Sequence, residues 1–156
     1  MAKLSKELLG LAGEYAVASE LCRHGLYAQI TLGHHKQTDI LVESEYKMTR
    51  IEVKSKQAST WPGVPGLYRE DDFLVLVDFQ KIDPGDTPDF YILDLSDWKL
   101  LMQEEKALNP SAKVDSRFRI TYPDDWTGLN LKPERVFEMK DQCEKITGAV
   151  KTPADG

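Results

Sequence analysis

Residues 72–79, Asp-Phe-Leu-Val-Leu-Val-Asp-Phe, constrain this chain more than any other segment. Five consecutive apolar side chains leave no polar face, so a strand here must be covered on both sides. The run is far shorter than the roughly 20 residues of a membrane helix. A strand buried on both faces needs a layer above it and a layer below it, which is the plan of an α/β domain.

The other elements follow from period and punctuation. Leu4–Gly25 predicts a helix, with Ser5 as its cap and Leu8, Leu9, Leu11, Ala12, Tyr15, Ala18 and Leu21 as its apolar face. Leu26–Thr31, Thr38–Val42 and Lys47–Ser55 predict strands, the last two joined by a turn near Glu45. Residues 57–71 read as a loop, broken by Pro62, Gly63, Pro65 and Gly66. Phe90–Leu93 predicts a strand, Ser96 the cap of a helix to Leu108, Arg117–Thr121 a short strand and Pro133–Ile146 a last helix. The sum is α/β with a central mixed sheet flanked by helices. A length of 156 residues predicts one domain over residues 1–146, then a flexible tail over 147–156.

Hydrophobic content of 41% and charged content of 29% suit an ordinary soluble protein, and a cytoplasmic address without membrane attachment is expected. Cys22 and Cys143 lack metal-type spacing and read as reduced, buried thiols. The net charge of −6 argues against a nucleic-acid partner until its distribution is considered. Residues 1–58 carry +1 and residues 59–156 carry −7. A divalent metal on the acids of the first segment would let its local field favour phosphate.

Glu14 is the first acid that needs explaining. At about 100° per residue, Gly10, Leu11, Val17, Ala18 and Leu21 fall within about 60° of it. A carboxylate in an apolar stripe needs a partner, unless the stripe is wide and Glu14 sits at its solvated edge. In Ile51-Glu52-Val53-Lys54, strand alternation puts Glu52 and Lys54 on one face. A hairpin turning at Glu45 and Tyr46 would set Asp39 directly across from Glu52. Like charges facing across a sheet are destabilising, and a hard divalent cation would compensate them. The competing arrangement is a solvated strand pair with salt-bridged surface charges.

An acid in a helix, an acid at a strand start and Glu-x-Lys on the next strand occur here in that order. Gly10-Leu11-Ala12-Gly13-Glu14, Thr38-Asp39-Ile40-Leu41-Val42 and Glu52-Val53-Lys54 together resemble the PD-(D/E)xK nuclease superfamily, and in particular its small Holliday-junction-resolvase-like members. The likeness covers about residues 8–57, and Thr38 stands where the naming Pro would be. It implies the restriction-endonuclease-like fold and a metal-dependent endonuclease acting on DNA, including branched or damaged DNA. Mg²⁺, with Mn²⁺ as a substitute, would be held by Asp39, Glu52, the Val53 carbonyl and Glu14. Lys54 would orient or deprotonate the attacking water or stabilise charge on the phosphate, and Gln57 matches a polar position after the lysine in some branches. Small nucleases of this type pair two sites, so a homodimer is expected.

Weaker signals complete the picture. Lys36, Arg50 and Lys56 are candidate phosphate contacts, with exposed strand charges as the alternative. His34 and His35 adjoin the Asp39 strand, and His24 suits the helix C-terminus as a dipole partner. Trp61 and Tyr68 could form a flap that stacks on bases, or pack on the core edge. Trp98 and Trp126 read as structural. Two rivals stand beside the enzyme: a catalytically silent nuclease-fold module for nucleic-acid or protein binding, its protein partner met by the acidic C-terminal half, and an unrelated α/β enzyme. No Gly-rich phosphate loop, Gly-x-Ser-x-Gly elbow or His-Glu-x-x-His helix favours another chemistry.

Overall fold

The computed structural model describes residues 2–32 and 38–151. The predicted buried strand is β5 (Asp72–Asp78), near the middle of a five-stranded sheet ordered β1-β2-β3-β5-β6. β1 (Tyr27–Ile30), β2 (Ile40–Glu43) and β3 (Met48–Lys56) form an antiparallel meander. β3 then runs parallel to β5, which pairs antiparallel with β6 (Asp89–Leu93). The sheet is mixed and helices flank it, so the architecture is α/β.

The two faces bury two separate cores. Phe73, Val75 and Val77 of β5 join Ile40, Ile51, Val53, Phe90 and Ile92 beneath α1 (Lys6–Arg23) and α3 (Glu144–Lys151). Leu74 and Leu76 join Tyr91, Leu93, Trp61, Trp98 and Leu129 on the opposite face. That second core is roofed by α2 (Leu95–Leu108), by the two-stranded pairing of β4 (Trp61–Val64) with β9 (Leu129–Leu131), and by the hairpin of β7 (Lys113–Val114) and β8 (Ile120–Thr121). No helix among the described residues is long and apolar enough to cross a membrane.

Several elements differ from the sequence reading. On α1 the buried residues are Gly13, Glu14, Val17 and Leu21, while Leu8, Leu11 and Tyr15 are exposed. The expected loop 57–71 contains β4, whose partner β9 lies some 65 residues away and leaves no local signal. Gly63 and Gly128 make that pairing possible: both have positive φ, and a Cβ on Gly128 would lie 2.6 Å from the Gly63 carbonyl oxygen. α2 is capped by Asp94 rather than Ser96, through a reciprocal box with Asp97. The predicted strand at Arg117–Thr121 shrinks to β8, because Phe118 turns the hairpin at φ 55°.

The expected helix Pro133–Ile146 is two pieces, a 3-10 segment Pro133–Met139 and α3. Between them the Asp141 N–H donates to the Phe90 carbonyl at 2.8 Å, and Lys140 bridges to Tyr91. The edge of β6 has captured this backbone. Helix α3 extends through residues 147–151, where a tail was expected, because Ile146 and Val150 are buried in the first core.

The C-terminal half is tied together by Glu105. This buried α2 carboxylate accepts from Arg135 Nη1 at 2.6 Å, from Asn109 Nδ2 at 2.9 Å and from the Tyr122 hydroxyl at 2.5 Å. Burial pushes the carboxyl up, but the bonds from Tyr122 and Arg135 outweigh it and hold the group below its ordinary value. Its stabilisation is therefore full above the ordinary carboxylate range and is lost as pH falls through the lowered folded value. Glu105→Ala should cost about 3 kcal/mol at pH 7 in urea denaturation. The gap from the unsubstituted chain should narrow below about pH 4.

Candidate active site

β3 organises the candidate site. Alternation sends Ile51 and Val53 toward α1, and Arg50, Glu52, Lys54 and Lys56 to the other face. The β2–β3 register pairs Ile40 with Ile51, so one step outward Asp39 faces Glu52. There the Asp39 N–H donates to the Ile51 carbonyl at 3.2 Å, and Asp39 Oδ2 accepts the Val53 N–H at 2.7 Å. The carboxylate is thereby fixed against the strand that carries Glu52 and Lys54.

Glu52 and Lys54 are half-buried. Burial pushes the Glu52 carboxyl above its ordinary value. Lys54 draws it back, Asp39 and Asp72 push it further up, and Arg119 opposes them. Two carboxylates thus face each other in a partly dry place, which is a setting that a cation relieves.

Glu14 is 9% exposed, as its apolar neighbours on the helix require. It belongs to α1, which packs on the Ile51 and Val53 face of β3. The preceding residue explains the close approach. A Cβ on Gly13 would stand 1.8 Å from Ser55 Oγ, so only glycine lets this turn of α1 lie on β3.

Other expected site residues are placed differently. Lys56, expected as a phosphate contact, is 3% exposed. Its Nζ lies 2.6 Å from Asp78 Oδ1, donates to the Ala58 carbonyl at 3.1 Å and sits 4.7 Å from the Trp61 ring centre. Such a buried, paired lysine cannot reach a phosphate. Gln57 is also engaged elsewhere: its Oε1 accepts the Leu4 N–H at 2.9 Å and its Nε2 donates to the Ala2 carbonyl at 2.8 Å, tethering the lead-in to α1. Arg50 is exposed, with Nη1 4.0 Å from Asp72 Oδ1. Lys36, His34 and His35 lie outside the described residues. Trp61 is core rather than flap, donating to the Val77 carbonyl at 3.0 Å, whereas Trp126, expected as structural, is exposed.

The sequence reading passed over a cationic rim. Arg69 Nη1 lies 3.9 Å from Asp72 Oδ2, and its guanidinium is 4.8 Å from the centre of the Tyr68 ring. Arg117 is 5.1 Å from the same ring, and Arg119 acts on Glu52. Arg117 and Arg119 are exposed on the β7–β8 hairpin, 65 residues and more from Glu52 in the chain. The Arg-Phe-Arg triplet was the available signal, but nothing local ties it to the site. With Arg50, these groups place positive charge beside the acids despite the net charge of −6.

No family model and no curated protein matches the chain. Among solved structures it is similar to a bacterial homing endonuclease, I-Ssp6803I, at 18% identity with a TM-score of 0.46, over 60% of this chain and 71% of that one.

Two stability measurements probe the site. Glu52 is raised in the folded state, so its charged form costs stability as pH rises through the folded value. Glu52→Gln should raise the melting temperature of the metal-free protein at pH 7 by about 2–4 °C, the equivalent of roughly 1 kcal/mol. Gly13→Ala should lose about 1–3 kcal/mol to overpacking despite its better helix propensity. Ser55→Ala in the same chain should restore most of that loss, because the Ser55 hydroxyl is buried without a hydrogen-bond partner among the described residues.

Proposed function

We propose that the chain is a metal-dependent endonuclease of the PD-(D/E)xK type, hydrolysing phosphodiester bonds of DNA. The observation that carries this reading is Asp39 held opposite Glu52, with Lys54 next along the same face of β3. The donor set suits Mg²⁺ or Mn²⁺: the Asp39 and Glu52 carboxylates, with the Val53 carbonyl, are hard oxygen ligands. When bound, the ion supplies Lewis-acid polarisation of the scissile phosphate.

The chain's own groups divide the remaining work. The Val53 N–H orients Asp39, so this ligand is in place before substrate arrives. Lys54 sets its ammonium where charge builds on the phosphate, or takes the proton of the attacking water. Glu14, buried in α1, would give the ion a further carboxylate, directly or through water. Arg50, Arg69, Arg117 and Arg119 hold the backbone phosphates that flank the cut.

The test is cleavage of branched, single-stranded and duplex DNA in Mg²⁺ or Mn²⁺. Glu52→Ala and Lys54→Ala should each slow cleavage by roughly 10²–10⁴-fold while leaving DNA binding without metal intact. Arg117→Ala should instead weaken binding and reduce the slope of log K against log salt by about 1. Binding without cleavage of any substrate would favour the silent binding module. No cleavage together with no metal uptake sinks the metal-site reading.

A further inference from the structure

A second constellation lies on the first core, at the junction of α1 and α3. Glu20 and His24 are one helical turn apart at the end of α1, with His24 Nε2 3.2 Å from Glu20 Oε1. Cys143 comes from the segment entering α3, about 120 residues later. The ligand atoms of these three side chains all lie within 4.8 Å of one another.

We propose that Glu20, His24 and Cys143 bind a divalent cation of the zinc class, clamping the end of α1 to the start of α3. Thiolate, imidazole and carboxylate together favour a borderline-soft metal over Mg²⁺. Metal–ligand bonds of about 2.0–2.3 Å set tetrahedral donors roughly 3.3–3.8 Å apart. The three atoms therefore need to close by no more than about 1.5 Å, which the half-exposed His24 ring can supply by rotation. The ion would replace the His24–Glu20 contact, and a water would complete the fourth position.

The surroundings suit the role. Cys143 is buried, Glu20 is partly covered and His24 is exposed, so the site has an apolar floor and an open entry. Arg23 Nη1 holds the second Glu20 oxygen at 3.2 Å and so fixes how the carboxylate presents its first. Loading the site takes the thiol proton to solvent as the sulfur–metal bond forms.

The inference is independent of the nuclease reading and is tested on the untagged full chain. Titration with Co²⁺ should produce a thiolate-to-cobalt charge-transfer band saturating at one equivalent, and Zn²⁺ should bleach it. Cys143→Ser should abolish the band. The exposed His24→Gln, which spares the core, should weaken Zn²⁺ affinity at least tenfold in chelator competition. Glu52→Ala should leave both readings unchanged. Absence of the band in the unsubstituted chain, its survival in Cys143→Ser, or an unaltered affinity in His24→Gln would each overturn the proposal.

Discussion

The parallel pairing of β3 with β5 is the constraint on which the rest depends. Strands that run the same way cannot be joined by a tight turn, so the chain needs a crossover of a dozen residues or more. Here residues 57–71 make that crossover and deposit β4 on the second face as they pass. Because β5 is apolar on both sides, the same pairing obliges the chain to build two roofs. α1 and α3 make one, and β4 with the segments between Leu95 and Met139 contributes to the other. Glu52 and Lys54 are half-buried on β3.

What the sequence made legible follows from the range of each signal. The register of β2 on β3 could be read because a short turn and a period of two determine it together. The burial of Glu14 could be read because five apolar neighbours surround it on one helix. The β4–β9 pairing, the break at Lys140 and Asp141, and Arg119 beside Glu52 could not be read. Each depends on a partner 50 to 70 residues away, and no local pattern reports such a meeting. Lys56 shows a different failure. Parity gave its face correctly, but not that Trp61 would lie over it and Asp78 would neutralise it.

The charge distribution gains its meaning only in three dimensions. An acidic second half looked unsuited to a polyanion. Folding turns several of those acids inward or toward one another: Glu105 is spent on Arg135, Tyr122 and Asn109, and Asp78 on Lys56. On the β7–β8 hairpin, meanwhile, Arg119 acts on the Glu52 carboxylate and Arg117 lies over the Tyr68 ring. Net charge describes the whole chain, whereas a substrate meets only one side of it.

Lys56 and Asp78 are register partners at the far end of β3 and β5. Sliding β3 along β5 would leave a lysine or an aspartate stranded in the dry interior, at a cost of several kcal/mol. The pair therefore works as a ratchet pawl, holding the strand to one setting from its far end. Two lysines a pair of residues apart have thus become specialists. The inner one is frozen into architecture, and the outer one is left free to be tuned, exchanged or lost without the sheet losing its place.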